Sequence, residues 1–466
     1  MLGRRVAAIL VLFLLCSGAL YLAADAATPP AAAPAPVTAT PAQPSGKSLS
    51  LEEAVAMAIA NSPRVAIANQ EVAADKGLAE QATSNLFPRL NIAAQRTDTV
   101  APKEGGTVFQ QTGPAWATAV TLRQPLFSWG ALRQGVKGAN DLVAGAQDTF
   151  ARTREQVAFA ARAVYYQVLT AKESVRVQKD SLAAAQEHRR IAGLRFDAGV
   201  APQYDVLAAE ARVASVQQVM AASEGDLRNA WANLSRVLGA EVPTDTVLTS
   251  PRPLVVTQAP LATLIEQATA CRSDILAARS QVSVAEAQLA IAKTGNLPMI
   301  ALTLGYTFLP RTTVSGFGPE GGSIVVSQST GEVGLGATWT AFDAGSTHGA
   351  VVTARARVQQ ACENVRLLEQ AAEQEVKVAS SDLQTAEAQQ EAATKEVAAA
   401  KEAYRIAQVR YQEGVSTSVE VLDAQTTLSS AENRLNQAVF ALNLAIAGLD
   451  LAVGAPATSP SAPAPK

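Results

Sequence analysis

The 466-residue chain has few of the residues on which catalytic and metal sites depend. It has only two histidines, His188 and His348, and their wide separation fits no metal-ligand spacing. A formal net charge of −3 offers no basic surface for nucleic acid. No nucleophile, base or metal cluster stands out. The sequence therefore predicts a protein that is not an enzyme, needs no cofactor and binds no nucleic acid.

Cysteine and aromatic residues are also scarce. Only Cys271 and Cys362 lie beyond the first 26 residues, too few for a disulfide framework, and we expect buried thiols in helix seams. Aromatic residues make up 5% of a chain that is rich in alanine. This composition favours helices over compact domains with bulky cores.

Residues 1–26 have the three parts of a secretory signal peptide. Arg4 and Arg5 form the charged start, an apolar run begins at Val6, and residues 24–26 (Ala-Asp-Ala) fit a cleavage site. Two alternatives stay open at this stage. The apolar run is long enough for an uncleaved anchor, and Cys16 could be the lipid-bearing residue of a lipoprotein.

Two segments that lack apolar periodicity flank the main part of the chain. Residues 27–46 form a Pro/Ala-rich leader, and residues 455–466 form a tail of similar composition. Both are predicted to be flexible.

The chain between these segments contains an internal duplication. Residues 195–210 read RFDAGVAPQYDVLAAE, and residues 410–425 read RYQEGVSTSVEVLDAQ, an offset of 215 residues. We predict a first structural repeat over 49–239, a linker over 240–258 and a second repeat over 259–454. Each repeat consists of helices, a β-hairpin, a very long helix, a turn and a returning helix.

Alternating apolar residues predict hairpins at about 88–126 and about 298–342. Tilted strands of about ten residues can cross a bilayer. Tyr306, Phe308 and Trp339 lie near the predicted strand ends, as interfacial aromatic residues do. An ordinary half-buried hairpin on a soluble core is the alternative.

Long helices are predicted over 130–195 and 345–410, where no proline occurs. At 1.5 Å per residue, each spans roughly 98 Å. The second has a heptad seam with one stutter, typical of packed coiled-coil helices. Its positions are Val351, Ala354, Val358, Ala361, Val365, Leu368, Ala372, Val376, Ala379, Leu383, Ala386, Gln390, Ala393, Val397, Ala400, Tyr404, Ala407 and Tyr411.

Four membrane strands in one chain cannot close a barrel, and an open sheet edge is prohibited in lipid. The chain must therefore oligomerise. Two copies give eight strands, which side chains nearly fill, whereas three give twelve and leave a lumen. A helical tube attached to such a barrel would be a conduit.

The residues resemble the TolC family of outer-membrane efflux proteins over about 49–454. The resemblance depends on the opening LSLEEAVAMAIANSP, on PLFSWG and AFDAG after the strands, and on the two tip phrases. It implies a homotrimer in outer-membrane lipid with a 12-stranded β-barrel and an α-helical barrel that crosses the periplasm. Its implied partners are a periplasmic adaptor protein and an inner-membrane transporter.

The resemblance places the repeated phrases at the closed periplasmic entrance. Glu420 and Asp423 then correspond to an acidic pair of the channel gate, and a trimer would present them as rings that favour cations. The alternative is that Glu420 is a first-turn acid beside caps at Ser416 or Ser418.

A hydrogen bond that keeps the entrance closed in the family maps onto Tyr411 and Asp205, which completes the implied gate. The sequence departs from the family at Ser416, where an arginine can occur. For Tyr411 the alternative is a last seam position of the coiled coil.

Gly199 and Val200 in the first tip, with Gly414 and Val415 in the second, match the loops that adaptor hairpins contact in the family. Glycine at a helix end also supplies a left-handed turn, which alone explains both glycines.

These observations together predict a passive outer-membrane exit duct for small molecules. The same duct serving type I protein secretion stays an alternative. A periplasmic adaptor protein is a competing interpretation, but it would have one helical hairpin between β-domains, whereas this sequence predicts two. A structural coiled-coil envelope protein would leave the alternating strands unexplained.

Overall fold

The computed structural model describes residues 48–98, 110–111, 114–249, 259–317 and 322–454. The predicted signal peptide, leader and tail lie outside the described residues. The chain divides into two compact units. A β unit contains the strands of the hairpins with the adjoining helix ends, and an α unit contains most of the helical residues.

The helices and strands of the described residues follow the predicted duplicated order. The helices are α1 (Leu51–Asn61), α2 (Pro63–Ser84), α3 (Ala131–Asp197), α4 (Gln203–Leu238), α5 (Leu261–Cys271), α6 (Ser273–Ala292), α7 (Ser346–Gln412) and α8 (Ser418–Val453). The strands are β1 (Ser48–Leu49), β2 (Arg89–Asp98), β3 (Gln110–Gln111), β4 (Pro114–Phe127), β5 (Val247–Leu248), β6 (Met299–Phe317) and β7 (Gly322–Thr338).

The β unit is built on an antiparallel sheet in the order β2, β4, β6, β7, with the short β3 also paired to β6. Because side chains alternate along a strand, the pairing sorts them onto two faces. One row on the first face is Leu90, Leu122, Leu304 and Val333. The next row, on the opposite face, is Asn91, Thr121, Gly305 and Glu332. The sheet is therefore apolar on one face and polar on the other.

The apolar face is uncovered within the chain. Ile92, Val333 and Leu335 are exposed by 71%, 67% and 70%. Within the described residues, β2 and β7 each pair with one neighbour and are the long edges of this sheet, while the two-residue β3 also pairs with β6 alone. A lone chain in water would leave both an apolar surface and two strand edges without cover.

The second hairpin is longer than the predicted ten residues per strand. β6 has 19 residues and β7 has 17. Pairing continues past Leu309 through a register shift to Thr312 and Val326. The prediction ended each strand where strict alternation ended, whereas a bulge lets pairing resume beyond the break.

The three predicted interfacial aromatic residues are exposed on this unit. Tyr306 and Phe308 lie on β6. Trp339 immediately follows the end of β7, and its indole N–H donates to the carbonyl oxygen of Asn296 at 2.9 Å.

The main core of the α unit lies where α1, α3 and α4 meet the paired strands β1 and β5. Tyr165 is fully buried there, and its hydroxyl oxygen lies 2.8 Å from the carbonyl oxygens of Leu49 and Thr249. Burial raises the pKa of Tyr165 to about 12. This contact joins the first long helix to the small sheet.

Both repeats end in the same way, with a left-handed glycine against the junction of two short helices. Gly239 has φ 64°, and a Cβ there would lie 2.9 Å from the Cβ of Asn61. Gly454 has φ 81°, and a Cβ there would lie 3.1 Å from the Cα of Arg272. Buried Arg272 also pairs with Asp274 at 2.7 Å and with Glu375 at 2.6 Å, so it ties α6 to α7.

The predicted seam of α7 is confirmed by its burial. The buried residues of this helix all occupy seam positions, and they are Ala354, Ala372, Val376, Leu383, Ala386, Ala393, Ala400 and Tyr411. The expectation for the thiols is wrong, because Cys271 and Cys362 are exposed. Cys271 is the last residue of α5, and Cys362 lies on α7 outside its seam.

One described helix, α8, is long and apolar enough to cross a membrane by length and composition alone. We assign it to the α unit instead, because polar side chains attach it to α3. Arg162 pairs with Asp450 at 3.3 Å, and Gln425 donates to the Ser181 carbonyl oxygen at 2.8 Å.

Candidate functional site

The two repeated phrases form turns of the same backbone geometry. Gly199 and Gly414 have φ of 74° and 80°, and each turn closes with a bond from the following valine N–H to an arginine carbonyl five residues back. These bonds are Val200 to Arg195 at 3.0 Å and Val415 to Arg410 at 2.9 Å. This is the helix-ending motif that a left-handed glycine permits. Each turn presents its valine to solvent.

The second tip has a packed interior around Tyr411, which is only 4% exposed. The ring of His188 lies 5.2 Å from the Tyr411 ring, centroid to centroid. The Arg195 guanidinium lies 4.7 Å from the centroid of the same ring and donates to the Tyr411 carbonyl oxygen. Two residues of α3 therefore enclose the last turn of α7.

His188 also contacts α8. Its Nε2 shares a hydrogen bond of 2.8 Å with the Ser418 hydroxyl, and both residues are buried. Burial lowers the pKa of His188, and the Asp205 carboxylate opposes that shift. Burial therefore favours the neutral form of the ring.

A series of polar contacts continues from His188 along α3 and α8. Gln425 donates to the Ser181 carbonyl oxygen, and the hydroxyls of Ser429 and Ser181 lie 3.0 Å apart. His188 and Ser181 are one heptad apart on α3, as are Ser418 and Gln425 on α8. Polar layers at such positions fix the register of packed helices.

The hydrogen bond implied between Tyr411 and Asp205 is absent from this structure. The Tyr411 hydroxyl is buried and has no hydrogen-bond partner among the described residues. Burial raises the pKa of Tyr411, and the Asp205 charge adds to the rise, whereas the Arg195 charge and the nearby Ser418 hydroxyl, which is outside hydrogen-bond geometry, oppose it. Asp205 therefore acts on Tyr411 through its charge alone.

Glu420 and Asp423 are both exposed on the first turns of α8. Thr417 is the N-cap, and its hydroxyl accepts from the Glu420 N–H at 3.4 Å. Ser416 donates to the Glu420 carboxylate at 2.6 Å. Glu420 is therefore a first-turn acid, as the alternative had it, but the cap is Thr417 rather than Ser416 or Ser418.

The first tip lacks such an interior. Phe196, which corresponds to Tyr411, is 43% exposed, and Tyr204 and Leu207 are exposed by 66% and 56%. The N-cap of α4 is Pro202, whose side chain makes no capping bond. An exposed ion pair, Arg189 to Glu210 at 2.8 Å, joins α3 to α4.

Sequence reasoning missed His188 and Arg195 as part of the second tip. From the sequence, His188 has no evident role, because no other residue lies at metal-ligand spacing from it. Its partner Ser418 is 230 residues away. A signal was nevertheless present. Buried Ser181, Ala185, His188 and Ala192 are spaced four, three and four apart on α3, so His188 occupies a seam position.

The comparisons with known proteins agree with this architecture. The family model described as outer membrane efflux protein matches residues 54–240 and 264–455. Protein CyaE of Bordetella pertussis is 28% identical over 411 residues, which cover 86% of this chain and 84% of that protein. Outer membrane efflux protein BepC of Brucella suis is 24% identical over 69% of this chain and 68% of its own length.

Two solved structures share the fold. VceC, an outer membrane protein of Vibrio cholerae, superimposes with a TM-score of 0.72 at 21% identity, over 87% of this chain and 96% of its own. The MtrE outer membrane channel of Neisseria gonorrhoeae gives 0.68 at 20% identity, over 87% of this chain and 88% of its own. The predicted fold class, long helical hairpins with a β-barrel part, is confirmed.

Proposed function

Because the chain belongs to the outer membrane efflux protein family, we propose that it is the outer-membrane exit duct of a tripartite efflux system. Three copies conduct small molecules passively from a periplasmic adaptor and an inner-membrane transporter to the exterior. The duct performs no chemistry, and its partners supply the energy.

The observation that carries this proposal is the open, two-faced sheet of the β unit. Its apolar face is exposed, and its edges β2 and β7 are unpaired within the described part of the chain. Lipid would cover the apolar face, whereas the edges need strands from other copies. Three copies give twelve strands with a polar lumen, which is wide enough for solutes.

The second tip supplies the proposed gate. Glu420 and Asp423 are three residues apart and exposed, so one helix face presents both carboxylates. Three copies would form two rings of three carboxylates, and such rings attract cations. Tyr411 and Asp205 complete the proposed gate, since Tyr411 is buried in the tip and the Asp205 charge acts on it.

The exposed turns supply the proposed adaptor contacts. Val200 and Val415 are 66% and 67% exposed at the ends of the hairpins. Gly199 and Gly414 hold these valines outward by their left-handed backbone. An adaptor with a small apolar hairpin end would bury them.

The name of one similar protein favours small-molecule cargo. BepC of Brucella suis is described as an efflux protein, and OpmQ of Pseudomonas putida as a pyoverdine export outer membrane protein. We extend the export of small molecules, as a class, to this chain.

Single-channel recording in a planar bilayer tests the proposal. We expect the detergent-purified protein to give a small, cation-preferring conductance. Neutralising both carboxylates (Glu420→Gln with Asp423→Asn) should lower the cation preference several-fold, because the rings lose their charge. Asp382→Asn, an exposed carboxylate of α7 away from the tip, is the matched control and should leave it unchanged.

Two outcomes would contradict the proposal at different levels. A folded protein that never inserts or conducts would exclude the duct. Conductance with unchanged selectivity in the double variant would keep the duct and remove Glu420 and Asp423 from its gate.

A further inference from the structure

We propose that His188 is a proton-sensitive latch of the second tip, which holds the duct closed while it is neutral and releases it when it is protonated. The inference rests on the proposed function and adds a means of regulation to the same entrance. It assigns a gating role to a residue outside the acidic pair.

The latch is placed where three helices meet. His188 projects from α3, bonds to Ser418 in the first turn of α8 and contacts the Tyr411 ring in the last turn of α7. One buried imidazole therefore touches both arms of the second hairpin. Loss of this contact leaves Arg195 as the remaining contact between α3 and the end of α7.

Two residues of α3 hold the end of the second hairpin, His188 and Arg195, and His188 is the one of the two that can change its charge near neutral pH. The other polar contacts, made by Ser181 with Gln425 and Ser429, lie farther from the turn. They hold the register of the helices whether or not the tip is attached. Release at His188 therefore moves the tip without separating the helices.

The charged and titratable groups around His188 come from each element of this region. They are Arg195 of α3, Asp205 of α4, Tyr411 at the end of α7, and Glu420 and Asp423 of α8. Asp205 is the group that favours a protonated ring. Glu420 and Asp423 face solvent and Ser418 is neutral, so α8 offers the buried ring no counter-charge.

Protonation places a second cation against a ring that already carries one. Arg195 lies on the Tyr411 ring, and His188 contacts the same ring. A charged imidazole in this 5% exposed site must lose most of its hydration. The favourable response is outward movement of the tip into water.

The direction of the pH effect follows from the lowered pKa of His188. A released or unfolded tip binds the proton more readily than the closed tip, so acid favours release. The contribution of neutral His188 to the stability of the closed tip is complete above the ordinary histidine pKa of about 6.5. It declines as pH falls below that value towards the pKa of the closed state.

The first repeat has no equivalent latch. At the 215-residue offset, Ala403 takes the place of His188, Phe196 that of Tyr411 and Gln203 that of Ser418. Acid is therefore expected to act on one tip of each protomer.

The test is conductance of the wild-type trimer between pH 7.5 and pH 5. We expect a several-fold rise on acidification that His188→Gln abolishes, because glutamine retains a polar contact but does not titrate. His348→Gln is the matched control and should retain the response. An equal acid response in His188→Gln, or none in the wild type, overturns the inference while the duct survives.

A second measurement does not depend on conduction. With His348 replaced and a purification tag free of histidine, His188 is the one imidazole of the chain, and its NMR signal can be titrated. We expect a pKa below 6.5; an ordinary or raised pKa overturns the inference. A folded protein without conductance at any pH would overturn the proposed function itself, and the role of His188 in gating with it.

Discussion

The two tips have the same turn but different surroundings. In both, a left-handed glycine ends the long helix, and a valine N–H bonds to an arginine carbonyl five residues earlier. Behind the second turn lies a buried tyrosine with two residues of α3 against its ring. Behind the first turn lies a half-exposed phenylalanine.

This difference shows that the two repeats of a duplicated chain can keep one turn and differ in the packing behind it. The turn residues were kept, so each tip presents the same valine to a partner. The residues behind the turn diverged. The second tip has a buried ring packed against α3, whereas the ring of the first tip is half-exposed. The second tip is therefore the one that carries the proposed His188 latch.

Removal of the aromatic ring from each tip in turn should give the largest difference in tip stability. Tyr411→Ala opens a cavity under a 4% exposed side chain and should destabilise its tip by about 3 kcal/mol. Phe196→Ala removes a half-exposed ring and should cost about 1 kcal/mol. The rate of cleavage by proteinase K at each tip measures the difference. Similar cleavage of the two variants would contradict the asymmetry.

The two corresponding arginines give a smaller contrast. Arg195 lies on the Tyr411 ring and donates to its carbonyl, so Arg195→Ala should loosen the second tip by about 1–2 kcal/mol. Arg410 is exposed, and Arg410→Ala should cost less than about 0.5 kcal/mol. Proteolysis of the second tip in both variants reports this. A larger effect of Arg410→Ala would show that the anchor lies elsewhere.

The helix caps should give the smallest contrast. Thr417→Ala removes the capping hydroxyl of α8 and should cost about 0.5–1 kcal/mol of tip stability, whereas Thr417→Ser keeps the hydroxyl and should cost little. In the first tip, the side chain of Pro202 makes no capping bond, so there is none to remove. Amide exchange of the first turn of α8 measures the loss. Equal exchange in the two variants would remove the cap from the account.

Local patterns were enough to predict most of the fold. The heptad spacing identified the buried positions of α7, from Ala354 to Tyr411, because packing repeats with the helix turn. Alternation located both hairpins, although it missed the extension of β6 and β7 past their register shift. The left-handed turns followed from Gly199 and Gly414.

The interior of the second tip could not be predicted in the same way. His188 and Ser418 are 230 residues apart, and nothing local to either residue identifies the other as its partner. The resemblance implied a tyrosine–aspartate hydrogen bond that is absent from this structure, in which Arg195 and His188 pack against the tyrosine ring. The seam spacing on α3 was the available signal. It predicts that His188 is buried between helices, but it does not identify the residue that His188 contacts.

Amide hydrogen exchange of the two tips, followed in one sample of the wild-type protein at pH 7.5, tests the asymmetry most directly. After correction for intrinsic rates, residues 410–425 should exchange at least tenfold more slowly than residues 195–210, because a buried ring and its polar contacts must separate before the second tip opens. Equal protection of the two segments, or greater protection of the first, would contradict the account.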